Sequence, residues 1–99
     1  MAQRVKVAEI DEIPDGDAKA VDVGSERVAI FHIGERFFAI TDTCPHAGGS
    51  LSEGWADERE VTCPWHGWTF PIAEGDGSDG LNRYPVHIEG NDVYIDVPD

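Results

Sequence analysis

Two short motifs constrain this chain more than anything else in it: Cys44-Pro45-His46 and Cys63-Pro64-Trp65-His66. Each sets one thiol and one imidazole on a tight loop, and together they use both cysteines of the protein. Their order is Cys, His, Cys, His, so each loop offers one ligand of each kind. Two metal atoms bound between such loops can be sorted into an all-sulfur and an all-nitrogen site.

The 99 residues, 1–99, make one domain by size, long enough to bury a modest core. Its dominant hydrophobic period is two, which predicts an all-β protein. Val5, Val7 and Glu9 alternate with Lys6, Ala8 and Ile10 in a first strand. Residues 11–17 are an acidic turn region with Pro14 and Gly16, and Ala18–Val23 is a second strand. Gly24-Ser25 and Gly34-Glu35 are glycine-first two-residue turns. Residues 28–33 are apolar on both faces except at His32, predicting a strand buried on two sides, and Arg36–Thr41 returns beside it. Residues 84–89 and 92–97 flank Gly90-Asn91 as a third hairpin.

A different region, about 43–80, lies between these segments. It holds seven of the eleven glycines, all three tryptophans and all four candidate ligands. Glycine-rich loops on a rigid β base are where function concentrates. Residues 74–80 are an acidic surface loop that lacks the spacing and closing Glu of a calcium loop.

The net charge of −13, seven basic against twenty acidic residues, opposes binding to nucleic acid or an anionic membrane. It favours a partner with a basic docking face, or equally serves solubility and salt adaptation. No apolar run approaches the roughly 18 residues of a membrane span, and no signal region opens the chain. A cytoplasmic protein is expected, in which two cysteines serve as metal ligands rather than a disulfide.

Soft thiolates suit iron–sulfur clusters, and imidazole suits iron as well as zinc. Gly48, Gly49 and Gly67 let backbone N–H groups approach negatively charged sulfur without a Cβ in the way. Pro45 and Pro64 stiffen the loops just after each cysteine. Trp65, Trp68 and Phe70 either shield the site from water or serve as ordinary core aromatics. A structural zinc site in an interaction module uses the same donors, although its cysteines usually stand two to four residues apart on one loop. His32 and His87, each alone on a strand, are expected to be ordinary strand residues.

The blocks Cys44-Pro45-His46-Ala47-Gly48-Gly49-Ser50-Leu51-Ser52-Glu53-Gly54 and Cys63-Pro64-Trp65-His66-Gly67-Trp68-Thr69-Phe70 resemble the signature of the Rieske family. The flanking β segments match in order and length, so the resemblance spans essentially the whole chain. It implies a Rieske fold, with antiparallel sheets forming a base (about 1–42 and 81–99) under a smaller two-loop cluster-binding subdomain (about 43–80). It also implies one 2Fe–2S cluster, with Cys44 and Cys63 on one iron and His46 and His66 on the other.

Departures from the family pattern select a subfamily. Rieske proteins of respiratory complexes carry two further cysteines joined between the loops, where this chain has Gly49 and Trp65. They also carry a serine and a tyrosine whose hydroxyls bond to cluster sulfurs, where this chain has Trp68 and Phe70. Fewer donors leave the reduced cluster less stabilised. The chain thus resembles low-potential Rieske ferredoxins, with a potential towards the bottom of the roughly −150 to +300 mV Rieske range.

The resemblance implies a monomeric one-electron carrier between a flavin-dependent reductase and a terminal oxygenase or reductase, not an enzyme itself. Too few histidines remain for the second, mononuclear iron of a catalytic oxygenase subunit. The small subunit of an assimilatory nitrite reductase is the alternative within the same fold.

Overall fold

The predicted period of two is realised in strands whose central members bury both faces. A computed structural model of the protein describes residues 2–23, 26–43, 49–64, 67, 69–72 and 81–98. The strands are β1 (Ala2–Glu9), β2 (Ala18–Val23), β3 (Glu26–Ile33), β4 (Arg36–Thr41), β5 (Trp55–Ala56), β6 (Glu60–Thr62), β7 (Thr69–Pro71), β8 (Arg83–Tyr84), β9 (Val86–Glu89) and β10 (Asp92–Pro98). One-turn 3-10 helices occupy Ile10–Glu12 and Leu51–Glu53. All strand pairings are antiparallel, in three sheets ordered β1-β10-β9, β2-β3-β4-β8 and β5-β6-β7.

The four-stranded sheet is the middle layer. Successive side chains of a strand point to opposite faces, and here each face meets its own core. Val28, Ile30, Ala39 and Tyr84 pack with Ala8, Ile13, Val93 and Ile95 on the side of the β1-β10-β9 sheet. Ala29, Phe31, Phe38 and Ile40 pack with Leu51, Val61, Cys63, Phe70, Ile72 and Leu81 on the side of the β5-β6-β7 sheet. The expectation of a strand buried on two sides is met, since Val28, Ala29, Ile30 and Phe31 are all buried.

Two of the expected hairpins close as predicted. Ile33 pairs with Arg36 across Gly34-Glu35, and Glu89 pairs with Asp92 across Gly90-Asn91. Both glycines take φ of +63°, which a side chain resists. Val23 pairs with Glu26 as well, while the Gly24-Ser25 turn lies outside the described residues.

Three strand expectations need correction. The first strand ends at Glu9, and Ile10 already belongs to a 3-10 turn. Its register against β10 shifts between Lys6 and Ala8, so Val7 and Ala8 both reach the core and strict alternation fails there. The segment 84–89 is two strands in different sheets: β8 pairs with β4 and β9 with β10. Pro85 stands at the break, where it can donate no ladder bond, and its carbonyl instead accepts from Asp96 N at 3.1 Å. Finally, the region expected as loops contains the whole β5-β6-β7 sheet. Its strands are only two or three residues long, and β6 and β7 each bury one residue, too few to show a period.

Candidate metal centre

Strand alternation is what delivers the described ligand candidate. Val61 points inward from β6, and two residues on, just past the strand end, Cys63 does the same. Both are fully buried among Leu51, Phe70 and Ile72. The Cys63 thiol is free. After it the chain turns through Pro64, and Gly67 N donates to the Cys63 carbonyl at 3.2 Å. Gly67 has φ of +72°, so the residue closing this turn has to be one that tolerates the left-handed region.

Gly54 presses on the same loop from the other side. A Cβ added there would overlap the Thr62 carbonyl oxygen and crowd Pro64 Cδ at 3.1 Å. Beyond it, β5 pairs Trp55 with Thr62, next to Cys63, and the Trp55 side chain is 64% exposed. The β5–β6 turn is tied by Asp57, whose Oδ1 accepts from Arg59 N at 2.8 Å and Glu60 N at 2.9 Å. Those backbone donors, Glu60 first, hold the Asp57 carboxyl below its ordinary range.

The first motif loop is closed at its base. Thr43 and Ser50 form an antiparallel bridge across residues 44–49. Asp42, fully buried, reinforces it: its carbonyl accepts from Leu51 N at 2.6 Å, and its Oδ1 accepts from Ser52 N at 2.9 Å. Its other carboxylate oxygen lies 3.1 Å from Arg27 Nε, an ion pair without hydrogen-bond alignment. The loop after β7 is clasped similarly, because Arg83 Nε donates to Pro71 O at 2.8 Å and its Nη1 to Leu81 O at 3.3 Å.

Of the four expected ligands, Cys63 is placed as described, while Cys44, His46 and His66 lie outside the described residues. Pro45, Gly48, Trp65, Trp68 and the 74–80 loop lie outside them too. Gly49 is buried and Phe70 is a core residue. His32 Nδ1 donates to the Ile13 carbonyl at 2.7 Å and its ring stacks on Phe37 at 4.1 Å. His87 Nε2 lies 2.8 Å from Asp96 Oδ2. Each histidine is thus engaged within the β base. Arg27, Asp42, Gly54 and Arg83 escaped the sequence reasoning. Only Gly54 carried a signal, its place in the first signature block; the others are polar residues at strand ends with no spacing rule.

A soft sulfur donor beside a turn closed by Gly67 is a side chain that would hold a sulfur-liganded iron of an iron–sulfur cluster, which would supply a one-electron couple. The described fold is a layered antiparallel β protein that buries the Cys63 thiol at the end of β6 in the core beneath the β5-β6-β7 sheet.

Comparison with known proteins then fixes the class. The profile of the Rieske [2Fe-2S] domain matches residues 3–87. The 3-phenylpropionate/cinnamic acid dioxygenase ferredoxin subunit of Escherichia coli (strain K12) is 37% identical over 97% of this chain and 95% of its own length. The ferredoxin of carbazole 1,9a-dioxygenase from Nocardioides aromaticivorans IC177 superposes with a TM-score of 0.80 at 26% identity, over 94% of this chain and 96% of that one. A Mycobacterium tuberculosis protein assigned as an NADH-dependent nitrite reductase small subunit superposes at 0.86, over 100% of this chain and 98% of that one. Its 16% identity shows the fold alone.

The chain belongs to the Rieske [2Fe-2S] family. It carries one Rieske-type 2Fe–2S cluster and is a ferredoxin, an electron-transfer component rather than a catalytic subunit. No helix among the described residues is long and apolar enough to cross a membrane.

Proposed function

We propose that Cys44 and Cys63 bind one iron of the cluster and His46 and His66 the other, within a cluster-binding subdomain of about 43–80. In this reading a flavin-dependent reductase supplies the electron and a terminal oxygenase acting on an aromatic compound receives it. The carrier works as a monomer in the cytoplasm. The observation that carries the reading is the buried free thiol of Cys63 at the end of β6. The oxygenase as acceptor is supported by the dioxygenase ferredoxin subunit that this chain resembles at 37% identity.

The cluster supplies a one-electron couple. The chain's own residues do the rest: the core around Cys63 excludes water from the sulfur side, and Gly54 and Gly67 let backbone close on the second ligand loop. The net charge of −13 steers the molecule to a basic docking face. Trp55 protrudes on β5, and Glu53, Asp57, Glu58, Arg59 and Glu60 close to it in sequence are exposed as well.

The test is direct. Purified protein is expected to be reddish-brown, to contain iron, and to give an EPR signal on reduction. His46→Ala and His66→Ala are each expected to lose the cluster or hold it labile. Colourless zinc protein, or an unchanged visible spectrum in either variant, overturns the ligand assignment. A stable complex with a sirohaem subunit overturns the oxygenase as acceptor.

A further inference from the structure

Among the described residues, Asp42 is the one buried charged side chain. It sits where β4 ends and the first ligand loop begins, two residues before Cys44, a span of at most about 7 Å between Cα atoms. Its backbone N–H donates to Arg27 O at 2.9 Å, so the two residues are held together through the main chain as well as through the ion pair.

Closing the loop explains only part of this arrangement. The acceptor for Ser52 N is a single oxygen, which an asparagine would supply without the cost of burying a charge. The second oxygen makes no aligned hydrogen bond, and what faces it is the positive charge of Arg27, itself 57% exposed. A buried negative charge at the root of a ligand loop, offset by a solvent-screened positive one, is an electrostatic device.

We propose that the Arg27–Asp42 pair sets the reduction potential of the cluster: Asp42 holds it down and Arg27 counteracts that in part. The inference rests on the reading of Cys44 as a ligand. Reduction adds an electron to the cluster, and a fixed negative charge close by in a poorly polarisable interior opposes that addition. Arg27 opposes Asp42, more weakly because water screens its exposed guanidinium. Asp42 is therefore a positioning residue for the loop and, separately, a source of field.

The experiment is a spectroelectrochemical titration of the holoprotein, followed by visible absorbance, with iron content measured alongside. Asp42→Asn keeps the Ser52 acceptor and removes the charge, so the potential is expected to rise with the cluster retained. Arg27→Gln is expected to lower the potential, by less. Asp42→Ala removes the clasp too and is expected to lower iron content. A purely structural role moves iron content without opposite-signed potential shifts.

If the wild type shows no cluster, the ligand reading itself fails. If the wild type is intact and neither Asp42→Asn nor Arg27→Gln moves the potential, or both move it the same way, this inference fails alone. Should Asp42→Asn not retain the cluster, the Arg27→Gln titration decides, and a potential that does not fall overturns the proposal.

Discussion

Glycines at two positions show how differently one residue type can be required. Gly34 adopts φ of +63° with open space around it, so the demand is conformational only. Alanine there is expected to cost about 1 kcal/mol, seen as a lower urea midpoint with the visible spectrum unchanged. Gly54 has φ of −85°, which any residue tolerates, but its neighbour is the Thr62 carbonyl one residue before Cys63. Gly54→Ala forces that backbone to move, so loss of iron is expected as well as loss of stability. Equal behaviour of the two variants in iron content would refute this distinction. The glycine-first turn at Gly34 was legible because a two-residue hairpin demands it locally. The demand at Gly54 comes from the next strand across the β5–β6 hairpin, so its place in the first signature block marks the residue without giving the reason.

At the scale of elements, the long strands were legible and the short ones were not. Hairpin β3–β4 announces itself through its turn, and the two-sided burial of 28–31 through its unbroken apolar run. The division at Pro85 was hidden because residues on both sides keep strand character while changing sheets. The ligand pattern was legible as a motif, since its donors are rare residue types at fixed spacing. The Arg27–Asp42 pair that braces one loop was not, because its partners come from different strands.

Strands β9 and β10 are also pinned by His87 and Asp96. The hydrogen bond from His87, with help from Arg4, holds the Asp96 carboxyl below its ordinary value. A depressed carboxyl contributes stability that is present above the ordinary Asp value near 3.8 and lost as pH falls through the folded-state value. His87→Ala is therefore expected to unfold in acid at a higher pH than the wild type, by circular dichroism. Superimposable acid transitions would rule out that linkage.

Over the whole molecule, the two cores share one wall. Ile30 is fully buried in the core beneath β10, while its neighbours Ala29 and Phe31 belong to the core around Cys63. Ile30→Ala is expected to cost about 2–5 kcal/mol. Because the four-stranded sheet is common to both cores, iron retention under urea is expected to fail at the same denaturant concentration as the β base. Separate transitions would show that the layers unfold independently.

The middle sheet has a further consequence for the timing of backbone opening. Residues 28–31 are covered from above and below, and their strand is paired on both edges, to β2 and to β4. To expose one of their ladder amides to water, β2 or β4 has to be stripped from the strand's edge, and both of those strands are held in place by the same covered sheet. Deuterium should therefore enter β3 last of all the strands, at a rate set by global unfolding rather than by local fluctuation.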